Sequence, residues 1–97
     1  SGGYNIYPKE IEDVLNELPN VLETAVFGVP HPDFGESVVA AVVPVPGTSV
    51  DYDAMDALLG TKLARFKHPR EFVVLDDLPR NTMGKVQKNV LRANHPA

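Results

Sequence analysis

The chain has 97 residues, 43% hydrophobic and 23% charged, with no cysteine and a net charge of −4. That is one domain's worth of globular sequence; it excludes disulfide frameworks and thiolate metal sites, and it contains neither a signal segment nor an apolar run near the roughly 20 residues that span a bilayer. Residues 1–60 hold Lys9 against ten acids, a net of −9, whereas residues 61–97 hold eight cations against Glu71, Asp76 and Asp77, a net of +5; an anionic ligand is therefore sought in the basic third, with a solvated dipolar surface as the alternative and bulk nucleic-acid binding disfavoured by the acidic whole.

In chain order, Gly2-Gly3 permits a turn with positive φ and Tyr4 to Tyr7 a short extended piece, together a hairpin-like N-terminal segment. With no initiator Met before that turn, the chain reads as an excised domain. Pro8 sits where proline starts helices, Glu10, Glu12 and Asp13 complement the helix dipole, and Ile11, Val14, Leu15 and Leu18 form one apolar stripe. This predicts a helix over 8–18, ended by Pro19-Asn20. VLETAVFGV, 21–29, is rich in β-branched and aromatic residues and predicts a strand, followed by a loop at PHPDFGE, 30–36. SVVAAVVPV, 37–45, is apolar on both faces, as in a strand covered on both sides, with Pro44 marking its exit.

VPGTSVD is a turn ending near a helix cap, and Tyr52, Met55, Leu59 and Leu63 predict a helix over 52–64, weakened by about 1 kcal/mol at Gly60. ARFKHP is a connector, EFVVL at 71–75 a third strand, DDLPRNTMGK at 76–85 a long loop, and a short basic helix carrying Val86, Val90 and Leu91 closes the chain. The order helix, strand, strand, helix, strand, helix predicts an α+β fold: a small three-stranded sheet covered by helices around one core, its first two strands antiparallel neighbours.

His31, His68 and His95 lie far apart without the i, i+4 spacing of a helical metal pair, and no G-x-S-x-G elbow surrounds Ser1, Ser37 or Ser49, so a self-contained hydrolase is disfavoured. Gly84-Lys85 invites comparison with the phosphate loop G-x-x-x-x-G-K-[ST], but the first glycine position is Pro79 and the Ser/Thr position is Val86. What remains is a segment with Pro79, Asn81 and Gly84 that delivers one ammonium group with no acid beside it in sequence. Such a lysine suits phosphate and carboxylate oxygens. An exposed solubilising lysine is the alternative.

GGYNIYPKEIE at the start, the VFGVPHPDFGE turn, KLARFKHP, and LPRNTMGKVQKNVLR at the end closely resemble the C-terminal domain of acyl- and aryl-CoA synthetases of the adenylate-forming superfamily. The resemblance covers essentially all 97 residues in order, with spacings intact. Among subfamilies the wording is most similar to malonyl-CoA synthetases. The resemblance implies a mobile C-terminal domain, inactive alone, that turns between two faces toward an N-terminal adenylation domain of the same chain. One face serves attack of a carboxylate on ATP to give acyl-adenylate and pyrophosphate; the other serves displacement of AMP by the CoA thiol.

By resemblance, Lys85 is the lysine that enters for the first half-reaction, bridging the carboxylate and the α-phosphate and ribose oxygens. Gly2 and Gly3 fall in the loop lining the pantetheine tunnel, a plain β-turn being the alternative. Phe66, Lys67 and His68 fall where some members stack the CoA adenine on an aromatic and meet its phosphate with a cation. Those members tend to carry Arg where this chain has His68, which makes Lys67 the substitute; Phe66 as a core residue is the alternative. ATP and CoA are the implied co-substrates, with Mg²⁺ accompanying ATP in the full enzyme and not bound by this domain. The family's lysine is often acetylated, so Lys85 is an expected target of a protein lysine acetyltransferase, a step that removes its charge. The setting implied is cytoplasmic, with no nucleic-acid or membrane partner. Two alternatives stand beside this reading: an interaction module that serves as an acetyltransferase substrate or basic-tailed adaptor, and a ligase for fatty or aryl acids.

Overall fold

The computed structural model describes residues 7–33 and 35–95; Gly2, Gly3 and the hairpin-like N-terminal segment lie outside them. The elements are α1 (Pro8–Leu15), β1 (Val21–His31), β2 (Gly35–Pro44), α2 (Tyr52–Lys62), a 3-10 turn (Arg65–Lys67), β3 (Glu71–Val74) and α3 (Lys88–Asn94). The sheet runs β1-β2-β3, with β1 and β2 antiparallel and β2 and β3 parallel. Here α2 supplies the crossover that a parallel pair requires.

Pro8 occupies the first turn of α1, where its missing N–H would have had no partner anyway. The helix stops at Leu15 rather than Leu18 because the chain tightens. The amides of Glu17 and Leu18 bond three residues back, to Val14 and Leu15, at 3.1 Å each, and Pro19 disfavours a helical conformation at Leu18. Leu18 still packs against the core.

β1 extends through Pro30 to His31, pairing Pro30 with Glu36 and His31 with Gly35, so the predicted loop 30–36 contracts to a turn. Pro30 is tolerated because β1 is an edge strand. Val26 points its N–H off that edge to Glu12, at 2.8 Å. The two-residue alternation puts Pro30, four residues on, on the same outward side, where no donor is needed. Gly35, at φ 77°, supplies the left-handed conformation that closes the turn.

Central β2 is covered on both faces, as its sequence predicts. Ala40 and Val42 pack with Ile11, Val14, Leu15, Met55 and Leu59 beneath α1 and α2. Val39, Ala41 and Val43 pack with Phe27, Leu78 and Leu91 on the other face, beneath α3. The sheet thus divides the predicted single core into two layers. Three smaller departures have local causes. Leu63 turns extended (φ −130°, ψ 148°), which ends α2 at Lys62; β3 is one residue shorter than predicted; and Val86 precedes α3, paired instead with Arg80 in an isolated antiparallel bridge.

α3 is pinned to the sheet through its last turn. Arg92 Nε donates to Gly28 O at 3.1 Å, and His95 Nε2 lies 3.0 Å from Glu71 Oε1 with its ring edge-on to Phe27. The Cα radius of gyration is 13.2 Å, near the ~13 Å of a compact 100-residue domain. Among the described residues no helix is long and apolar enough to cross a membrane.

Candidate functional site

The segment read from sequence as an open loop is a braced hairpin. Arg80 and Val86 bridge antiparallel, and Gln87 N–H reaches Pro79 O at 2.8 Å. Inside that base, Asn81 N–H donates to Lys85 O at 2.9 Å and Gly84 N–H to Asn81 O at 3.0 Å. The Asn81 side chain closes the tip: its Oδ1 accepts from the amides of Met83 (2.9 Å) and Lys85 (3.0 Å). Asparagine is suited to this because its short acceptor reaches backbone donors a few residues ahead. Gly84 sits at φ 84° with nothing within 4 Å of where a Cβ would stand. Its requirement is therefore torsional rather than steric.

Arg80 ties the hairpin to the sheet. Its Nη1 donates to Gly84 O at 3.3 Å, and its Nη2 pairs with Glu23 on β1. The hydrogen bond that Arg80 donates to Glu23 raises the Arg80 pKa, with the charges of Glu23 and Asp77 adding to it against desolvation. A guanidinium is protonated throughout the working range in any case.

Against this fixed frame the Lys85 side chain is unengaged. Lys9 pairs with Asp13, Lys62 with Glu17, Lys67 with Glu10 and Lys88 with Glu12. Among the described residues Lys85 is the one lysine with no carboxylate in ion-pairing reach, and it is exposed. Beside it at the tip, Met83 is 90% exposed. A backbone held by six hydrogen bonds thus presents an ammonium group that the domain itself does not neutralise.

The second predicted region lies elsewhere. Phe66, in the 3-10 turn, is 53% exposed and meets Tyr7 edge-on, with ring centroids 6.2 Å apart, so the core reading of Phe66 is overturned. Lys67 Nζ lies 3.0 Å from Glu10 Oε2 and 4.4 Å from the centroid of the Tyr7 ring, leaving its side chain 22% exposed. His68 Nε2 is 3.0 Å from Leu63 O. Both polar groups therefore have partners within the domain, and Phe66 is the exposed member of the three.

Helix α1 stands between the two regions. Glu10 holds Lys67, while Glu12 holds Lys88, three residues beyond Lys85, and also the Val26 amide. Helix positions two apart do not face the same way. Lys67, beside Phe66, and Lys88, three residues beyond Lys85, are therefore held from different sides of α1. A recess of about 200 Å³ between the end of α1 and the start of α2, lined by Leu18, Val21, Val50 and Met55 among others, contains none of these residues. Among the described residues no three His, Asp or Glu side chains are grouped so as to hold a metal ion.

Sequence reading took Asn81 as part of the segment that delivers Lys85 but did not foresee its brace, and it missed the pairing of Arg80 with Glu23. Nothing in the local pattern marked the shift: that Val21 and Val26, an odd five apart, share one layer is seen only in the packed strand.

A family model described as AMP-binding enzyme C-terminal domain matches residues 10–85. An indoleacetate–CoA ligase of Aromatoleum aromaticum is 49% identical over 95% of this chain and 18% of its own length. A long-chain-fatty-acid–CoA ligase of Mycobacterium tuberculosis is 41% identical over 100% of this chain and 19% of its own. Among solved structures, apo MatB from Rhodopseudomonas palustris superposes with a TM-score of 0.89 at 55% identity, over 95% of this chain and 18% of MatB. The chain thus spans less than a fifth of the length of the proteins it matches.

Proposed function

The chain belongs to the AMP-binding enzyme C-terminal domain family, and from that premise we propose that it is the C-terminal domain of an AMP-forming acyl-CoA ligase whose Lys85 enters the active site of a larger N-terminal domain. The observation that carries this reading is the unpaired, exposed Lys85 on a braced tip. In the first half-reaction a carboxylate oxygen attacks the α-phosphorus of ATP and pyrophosphate leaves; negative charge is concentrated where the two anions meet. A tethered ammonium offsets that repulsion and draws the reacting oxygens together. The CoA thiol then attacks the acyl carbonyl and AMP departs. ATP and CoA are co-substrates in the cytoplasm, and Mg²⁺ arrives with ATP rather than being held by this domain.

The second half-reaction uses a different face, with Gly2 and Gly3 beside the pantetheine arm and Phe66 stacked on the CoA adenine. The exposure of Phe66 supports that role. Lys67 or His68 meets the CoA phosphate, which requires Lys67 to exchange Glu10, or His68 to exchange the Leu63 carbonyl, for the ligand.

The acid we assign is malonate, supported by the similarity of SGGYNIYPKEIE and DLPRNTMGKVQKNVLR to malonyl-CoA synthetases. The relatives named for indoleacetate and long-chain fatty acids supply the competitors for a test. With the intact ligase, CoA thioester formation is expected to be fastest with malonate in a panel containing a long-chain fatty acid and an aryl acid. A faster rate with either of those removes the malonate assignment and leaves the ligase reading standing.

Lys85 is also proposed as a substrate of a protein lysine acetyltransferase, because its Nζ is exposed, unpaired and two residues from the exposed tip residue Met83. Incubation with acetyl-CoA and a protein lysine acetyltransferase, followed by peptide mass spectrometry, is expected to place one acetyl group on Lys85 before any on the ion-paired lysines. Modification at Lys9 or Lys62 with Lys85 untouched rejects this assignment.

A further inference from the structure

We propose that Glu23 is a positioning residue for Lys85, acting through Arg80, and that the register shift in β1 is what turns its carboxylate toward the Lys85 hairpin. The inference rests on the reading of Lys85 as the adenylation lysine and adds Glu23 and Arg80 to it.

Along β1, Ala25, Phe27 and Val29 pack in the layer that holds Leu78, Leu91 and Val86, the residues flanking the Lys85 hairpin. Val26 packs in the opposite layer, under α1 and α2. If β1 were regular from its first residue, Val21 would share the face of Ala25 and Phe27, since side chains alternate strictly. Val21 instead packs with Val26, in the α1 and α2 layer. The reversal coincides with the shift in register between Val21 and Glu23, where Leu22 is left exposed.

An extra residue of this kind reverses the facing of everything beyond it, and such shifts commonly re-aim a side chain beside a functional site. Its effect here is specific. Counted from Val21 without the shift, Glu23 would point to the α1 and α2 layer. With the shift it points to the hairpin side, where it meets Arg80 Nη2. The same guanidinium uses Nη1 to hold Gly84 O, the carbonyl of the peptide bond that leads directly into Lys85. A planar fork can hold both partners at once because its donors diverge in fixed directions.

The Glu23 and Arg80 side chains are 28% and 35% exposed, so an ion pair here adds little to folding. Its consequence is geometric: it fixes how far the tip stands from the sheet. Asn81 sets the conformation of the tip, and the strut from Glu23 sets its height.

The test uses an intact ligase carrying this domain and measures pyrophosphate exchange alongside thioester formation from a supplied acyl-adenylate. Glu23→Ala is expected to lower kcat for exchange about 10-fold, a fraction of what a misplacement of about 1 Å can do. The KM for ATP and the thioester half-reaction are expected to change less than about 2-fold on the same principle. In a Lys85→Ala background, Glu23→Ala is expected to add no further loss, since two residues acting through one group are not additive. Equal losses in both half-reactions, no loss, or the full loss repeated on top of Lys85→Ala each overturn the proposal. The two failures are distinguishable. If Lys85→Ala alone leaves exchange intact, the premise falls; if it abolishes exchange while Glu23→Ala is harmless, only the strut falls.

Discussion

Replacing Lys85 by alanine in an intact ligase that carries this domain is expected to lower acyl-adenylate formation about 10²- to 10³-fold, while thioester formation from a premade acyl-adenylate stays close to its original rate. The magnitude follows from charge. At about 4 Å and an effective dielectric near 20, one ion contact contributes about 4 kcal/mol, or roughly three decades in rate. The selectivity follows from position: Lys67, beside Phe66, and Lys88, three residues beyond Lys85, are held from different sides of α1, so removal of the Lys85 side chain leaves the Phe66 turn intact. The fold is expected to survive as well. The Lys85 side chain is exposed and makes no ion pair within the domain, and substitutions at such positions stay within about 0.5 kcal/mol. Pyrophosphate exchange and single-turnover thioester formation, run on the same preparation, check both halves. A matched loss in the two half-reactions would refute the role.

Phe27→Ala is expected to do the opposite, destabilising the domain by about 3 to 5 kcal/mol and lowering activity only because less of it is folded. Phe27 is 1% exposed and is the largest side chain of the layer beneath α3, packed with Val29, Leu78 and Leu91 and capped by the edge of His95. A domain of this length has about 5 to 15 kcal/mol of stability in total. The deletion therefore leaves it marginal, and the part that loosens first is the layer that carries the Lys85 hairpin. Urea unfolding followed by circular dichroism measures the shift. A loss under about 1 kcal/mol would mean that the aromatic is not packed as described.

Elements whose residues announce their own environment were legible in the sequence. SVVAAVVPV is apolar at every position that a doubly covered strand must bury, and β2 is central and buried on both faces. Ile11, Val14 and Leu15 gave α1 its face, and Met55 and Leu59 gave α2 its own. What escaped depends on partners far away in the chain. The parallel pairing of β3 with β2 leaves no local mark. Pro30 argued for a loop because its tolerance in β1 depends on which strand becomes the edge. At the candidate site, the Gly84-Lys85 pair was visible as a motif, whereas the Asn81 brace needed the chain folded back on itself and the Glu23 contact spans 57 positions. Lys67 looked as available as Lys85 because Glu10, which engages it, also lies 57 residues away.

The outer edge of β1 bears on the rotation proposed for this domain. An open strand edge is a row of unsatisfied donors and acceptors, ready to add any extended segment that slides past it. On β1 part of that row is taken: Glu12 holds the Val26 amide, Arg92 holds the Gly28 carbonyl, and Pro30 has no amide to offer. In the proposed rotation these positions give a passing strand nothing to pair with, so leaving a docked position requires no β-ladder to be unzipped there.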